Sequence, residues 1–212
     1  MADFEKLADA VIKGNQDVVL ELTQSAVDEG VKPNEIINNG LISGMNVVGK
    51  RFKAGDMFVP EVLMSAKAMK GGMNIVKPLL LEGERPSDGK VLLGTVSGDL
   101  HDIGKNLVGM MMESGGLEIV NLGTDISPEE FAKQVKEHKP DVLGMSALLT
   151  TTMLSMRDTI EVLEEEGLRD SVKIMVGGAP VTKEFSDEIG ADGWAPDAAS
   201  AKDLAFELIG KK

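Results

Sequence analysis

From residue 90 onward, short apolar runs rich in β-branched residues alternate with amphipathic stretches of helical period, and no other feature restricts the fold so tightly. The runs are Lys90–Val96, Glu118–Leu122, Asp141–Ser146, Val172–Val176 and a short one around Asp192–Ala195. Helices are expected over about Ile103–Ser114, Pro128–His138, Thr152–Glu166, Thr182–Ile189 and Ala198–Ile209. Strands that each lead into a helix must return by right-handed crossovers, so this part is an α/β domain with a doubly wound, five-stranded parallel sheet. The short first turns favour the strand order 2-1-3-4-5.

The first 82 residues read as helix throughout. Phe4, Leu7, Ala8, Val11 and Ile12 share one helical face, and Gly14 stops that segment. Asn15 or Asp17 can cap a second helix that runs to about Glu29, before Gly30. Pro33 sits in the first turn of a third, whose stripe is Ile36, Ile37, Leu41, Met45 and Val48. Pro60 opens a fourth, to about Leu81. Short connections make these four a small helical bundle. The connection Phe52–Pro60 is unusual, because it places two Phe, a Met and a Val where a polar loop is expected. It either plugs the end of the bundle or forms an apolar lid over a large, flat ligand. Gly83–Gly89 has the Gly, Pro, Ser and charge content of a linker. The expected organisation is therefore a cap at 1–82, a linker at 83–89 and an α/β domain at 90–212.

Composition narrows the function. The chain has no Cys, which excludes disulfides, thiolate metal sites and thiol nucleophiles. Its net charge of −13 argues against nucleic acid as a partner. That charge is uneven: residues 1–82 carry a net −2 and residues 83–212 a net −11. The N-terminus is charged from Asp3, unlike a signal peptide, and no apolar run approaches the roughly 20 residues of a membrane span. A cytoplasmic protein with no membrane partner is the expectation.

In a doubly wound sheet, ligands bind beyond the carboxyl ends of the strands, where the strand order reverses. That edge would gather the Ser97–Gly104 turn, Gly123–Asp125, Ser146–Thr152 and Gly177-Gly178. The first turn lacks both the dinucleotide fingerprint and a phosphate loop. Its distinctive unit is Asp99-x-His101-x-x-Gly104. A carboxylate two residues from an imidazole can hold Nδ1–H and leave Nε2 for a metal, or simply satisfy a loop histidine. With no other His or Cys near this edge, a metal on His101 would need a cofactor to supply its remaining ligands. Small residues at Ser97, Gly98, Gly104, Ser146, Ala147 and Gly177–Ala179 leave a cleft, and the hydroxyls of Thr150–Thr152 suit a polar ligand or a supporting hydrogen bond.

Asp99-x-His101-x-x-Gly104, then 41 residues, Ser146-x-Leu148, then 28 residues, Gly177-Gly178, resembles the signature of cobalamin-binding domains that bind the cofactor base-off and His-on. Residues Gly44–Gly49, Phe52 and Met57–Pro60 are similar to the helical cap of cobalamin-dependent methionine synthase and of the corrinoid proteins of methylamine and methanol methyltransferase systems. The resemblance spans nearly the whole chain. It implies a lower axial cobalt ligand at His101, its hydrogen-bond partner at Asp99, and a third relay member at Thr152, where methionine synthase has a serine. It places Gly98, Asp102, Ile103, Gly104, Ser146, Leu148, Thr150, Gly177 and Gly178 around the cofactor and its displaced nucleotide tail. Phe52, Val59 and Val62 would form the lid on the opposite face.

The implied cofactor is cobalamin or a related corrinoid, cycling between cob(I)alamin and methylcobalamin. The implied activity is methyl carriage between a substrate:corrinoid methyltransferase and a methylcorrinoid:acceptor methyltransferase, with tetrahydrofolate or a thiol as acceptor. A corrinoid reductive activator is a further expected partner. Two alternatives share the cofactor domain: the B12-binding subunit of an adenosylcobalamin mutase, and a B12-dependent regulator or photoreceptor.

Overall fold

A computed structural model describes residues 2–80 and 88–211, so residues 83–87 of the expected linker, and Leu81 of the fourth helix, lie outside the described residues. The chain divides into two compact units, one from the N-terminal helices and one from the α/β part.

The first unit holds α1 (Phe4–Ile12), α2 (Gln16–Asp28), a composite third helix and α5 (Val59–Val76). Asp3 and Asn15 cap α1 and α2, each side chain accepting an amide proton of the first turn. The third helix is not regular. A short α3 (Pro33–Glu35) passes through a π-helical stretch, Ile36–Ile42, into α4 (Ser43–Lys53). The wide turn explains how Ile36, Ile37 and Leu41 are all buried, since Ile36 and Leu41 are five residues apart. Gly44 lets α4 approach α1, because a Cβ there would stand 2.8 Å from the Ala8 carbonyl oxygen. The apolar connection is shorter than expected. Phe52 lies in the last turn of α4, Val59 begins α5, and the Phe58 amide donates to the Glu61 carboxylate at 2.8 Å.

The second unit is a parallel sheet in the order β2-β1-β3-β4-β5, as the crossover argument requires. Its strands are β1 (Lys90–Val96), β2 (Glu118–Ile126), β3 (Val142–Ser146), β4 (Lys173–Gly177) and β5 (Gly193–Trp194). Helices α6 (Ile103–Ser114), α7 (Pro128–His138), α8 (Leu154–Glu165), α9 (Lys183–Glu188) and α10 (Ala198–Ile209) alternate with them. One apolar layer sets Leu92, Leu143, Ile174 and Val176 against Phe131, Met156 and Ile160, and the other sets Val91, Val142 and Met175 against Met112, Ala201 and Ala205. Burial of both faces accounts for the apolar runs of β1, β3 and β4.

Two expectations need correction here. Gly123–Asp125 is not a loop after the second strand, because β2 continues to Ile126. It does so through register shifts, Leu93 pairing with Asn121, Gly94 with Gly123, and Val96 with Ile126. β2 accommodates two extra residues there, and Gly123 and Asp125 both take positive φ. Likewise α8 begins at Leu154, leaving Thr150–Thr152 in the turn before it.

Candidate functional site

The turn after β1 is built around the Asp99 carboxylate. Its side chain is fully buried and accepts four hydrogen bonds, two on each oxygen. Oδ1 takes the His101 amide at 3.0 Å and His101 Nδ1 at 2.7 Å. Oδ2 takes the Leu148 amide and the Thr152 hydroxyl, each at 2.7 Å. The acceptor capacity of the carboxylate is thereby filled. Burial pushes the Asp99 carboxyl upward, but these donors outweigh it and hold the group well below the usual carboxylate range. Asp99 is therefore an anion, and His101 Nδ1 carries the proton it donates. That tautomer leaves Nε2 as a lone-pair donor on a side chain that is 53% exposed.

The structure thus brings Asp99, His101, Leu148 and Thr152 together across about 50 residues of chain. Around them, Gly98 turns at positive φ, and Asp102 accepts from Asn106 at the first turn of α6. Ser146 pairs in register with Gly177 at the ends of β3 and β4. Gly178 lies against Ala147, so close that a Cβ there would overlap the Ala147 carbonyl oxygen. Thr150 is exposed in the turn before α8. Leu100, Ile103, Leu148, Leu149 and Leu154 expose large apolar side chains in the same turns, Leu100 and Ile103 by 72% and 76%. Such a concentration of exposed apolar surface marks a binding edge.

The expected lid residues lie in the helical unit. Phe52 and Val59 are half-buried there. Val62 is wholly buried in α5, as are Ala66 and Met69. Phe58, which the resemblance omits from the lid, is 69% exposed.

Residues 89–202 match the B12 binding domain family, and residues 3–77 match a second family of the same description. A corrinoid protein of Desulfitobacterium hafniense (strain Y51) is 47% identical over 100% of this chain and 99% of its own length. The chain belongs to the B12-binding corrinoid proteins. The dimethylamine corrinoid protein of Methanosarcina barkeri is 46% identical, covering 97% of each chain. Among solved structures, a chain of the methanol:cobalamin methyltransferase complex of Methanosarcina barkeri superposes with a TM-score of 0.85 at 34% identity, over 97% of this chain and 79% of the other.

The residues of this corrinoid protein fit the cofactor its family implies. Among the described residues no group of three or more His, Asp or Glu side chains could hold a metal ion, so a metal on His101 must bring its other ligands with it, as a macrocycle does. Gly104 has no atom within 4 Å of where a Cβ would stand, which leaves open space beside His101. Exposed Leu and Ile side chains then offer an apolar bed to a large planar molecule.

Sequence reasoning missed one polar ladder beside the site. Lys105 is almost fully buried and its Nζ donates to Asn121 Oδ1 at 2.5 Å. Asn121 donates to Asn106, and Asn106 to Asp102, at 3.0 and 2.9 Å. Burial lowers the Lys105 pKa, against an opposing pull from the Asp102 charge. The ladder ties the start of α6 to β2. Its only sequence signal is the Lys-Asn pair directly after Gly104.

Thr152 can be tested apart from its neighbours. Thr152→Val keeps the volume but leaves Asp99 Oδ2 one donor short, and is expected to lower apo-protein stability by about 1–2 kcal/mol in urea unfolding. Thr152→Ser keeps the hydroxyl and is expected to stay within about 1 kcal/mol of wild type, the loss of one buried methyl. A loss in Thr152→Ser with none in Thr152→Val would show that the methyl group, and not the hydroxyl, is what the site uses.

Proposed function

We propose that this corrinoid protein is a methyl carrier, taking a methyl group from a substrate-specific methyltransferase and presenting it to a second methyltransferase whose acceptor is tetrahydrofolate or a thiol. The observation that carries the reading is the filled Asp99 carboxylate, which fixes His101 with Nδ1 protonated and Nε2 free. When bound, the corrinoid supplies a cobalt centre that accepts and releases a methyl group. His101 would hold that cobalt through Nε2, and Asp99 would steady the imidazole. Leu148 N–H and Thr152 Oγ1 hold Asp99 in place. The exposed side chains of Leu100, Ile103, Leu149 and Leu154 would exclude water from a bound macrocycle. Gly178 packs its backbone directly on Ala147, which closes the ends of β3 and β4 together beside the site.

With no Cys, the chain has no thiol of its own to methylate or to bind zinc, so both half-reactions fall to partner enzymes. A reductive activator completes the proposed set of partners. The donor is recognised by the partner, so the dimethylamine named for the Methanosarcina barkeri relative indicates which methyltransferase to try first. Among the described residues no helix is long and apolar enough to cross a membrane.

Reconstitution with hydroxocobalamin tests the reading. Wild type is expected to give the visible spectrum of a histidine-ligated, base-off corrinoid, and His101→Ala to lose that spectrum. Wild type that binds nothing, or that binds with the benzimidazole still on cobalt, would sink the proposal.

A further inference from the structure

The β2 bulge ends on a residue to which neither the motif nor the resemblance gives a role. Asp125 stands at φ +56°, in the left-handed region that residues other than glycine seldom enter. From there it grips the ligand loop at two points. Its carboxylate accepts the Gly98 amide at 2.7 Å, and its own amide donates to the Asp99 carbonyl at 3.1 Å. A third hold comes from β1, where the fully buried Thr95 donates its hydroxyl to the His101 carbonyl at 3.0 Å.

We propose that Asp125 is a positioning residue for the cobalt-ligand loop, fixing the backbone of Gly98 and Asp99 so that Asp99 meets His101 before any corrinoid arrives. The inference rests on the methyl-carrier reading above. Gly98 turns at φ +78° with no side chain to restrict it, so the turn has many competing conformations and needs an external tie. The bulged end of β2 supplies it, since Ile126 pairs with Val96 and Asp125 thereby stands beside the end of β1, where the loop leaves the sheet. The three ties anchor the loop backbone at residues 98, 99 and 101, leaving the side chains of Leu100 and Ile103 exposed.

Three substitutions separate positioning from general stability. Asp125→Asn keeps an acceptor oxygen and tolerates positive φ. Asp125→Gly removes the acceptor while relieving the backbone. Asp125→Ala removes the acceptor and keeps the conformational cost. In the apo-protein, hydrogen exchange at the Gly98 amide is expected to quicken about tenfold in the Gly and Ala variants and to stay near wild type in the Asn variant. At saturating hydroxocobalamin, the ratio of His-on to His-off corrinoid in the visible spectrum is expected to fall about tenfold in Asp125→Gly, with Asn restoring it. If Asp125→Gly shows wild-type Gly98 protection and a wild-type spectrum, Asp125 positions nothing. If it loses corrinoid affinity while Gly98 stays protected, Asp125 touches the ligand directly and the proposal is likewise overturned. Wild type that takes up no hydroxocobalamin removes the carrier reading and this inference together, whereas a His-on wild type matched by Asp125→Gly removes this inference alone.

Discussion

Asp99→Ala is expected to destabilise the apo-protein by about 3–5 kcal/mol in urea unfolding, the scale seen when one partner of a buried charged network is deleted. Four donors converge on this carboxylate. Two of them can adjust, because the Thr152 hydroxyl can rotate toward the Leu149 carbonyl at 3.0 Å and His101 can change tautomer. The amides of His101 and Leu148 cannot. Asp99→Asn is therefore a poor rescue: whichever way the amide is turned, its nitrogen faces a backbone N–H, and a loss of about 1–3 kcal/mol remains. Acid provides the same test without mutation. The folded carboxyl titrates below its ordinary value of 3.8, so its contribution is complete above that pH and drains away as pH falls below about 4. Wild-type stability should drop over that interval, and the Asp99→Ala curve should be shallower there. Parallel curves would mean that the four bonds contribute nothing net.

What the sequence displayed was the part of the fold governed by repeated burial. β1 and α6 are legible because an unbroken apolar run, buried on both faces, is followed by a helical stripe bounded by turn residues. The strand order follows from crossover handedness. The π-helical stretch at Ile36–Ile42 was hidden because a five-residue spacing of apolar side chains also fits an ordinary helix read loosely. The β2 extension was hidden for the opposite reason. Gly-Thr-Asp is turn chemistry by composition, and here it is spent on a bulge inside a strand. At the site, Asp99 and His101 are two residues apart in sequence, so local chemistry announces the pair. Thr152 is 53 residues from Asp99, and nothing local links the two, so only the family resemblance suggested the contact that the structure shows. Asp125 had no such help, because its role depends on register, which composition does not encode.

The two glycines flanking this site should respond to alanine in opposite ways. At Gly178 the backbone turns at φ +127°, and an added Cβ would overlap the Ala147 carbonyl oxygen while standing 2.8 Å from the carbonyl carbon. Neither obstacle is a flexible side chain, so β3 and β4 must part at their carboxyl ends. Gly178→Ala is expected to cost more than about 3 kcal/mol in unfolding free energy. It should also impair corrinoid uptake, because the paired ends of Ser146 and Gly177 are displaced at the binding edge. At Gly104 an added Cβ meets nothing within 4 Å, and the residue lies in α6, where alanine is the better helix former. Gly104→Ala should leave apo stability unchanged or raise it by up to about 1 kcal/mol. If the open space beside His101 holds the corrinoid, that same methyl must still meet the ring. Hydroxocobalamin affinity should then fall at least about tenfold, a steric loss of roughly 1.4 kcal/mol or more. Urea unfolding of the apo-proteins and spectroscopic titration with hydroxocobalamin separate the two cases. A Gly104→Ala protein that is stable and binds as tightly as wild type would mean that the space beside His101 is not where the cofactor lies.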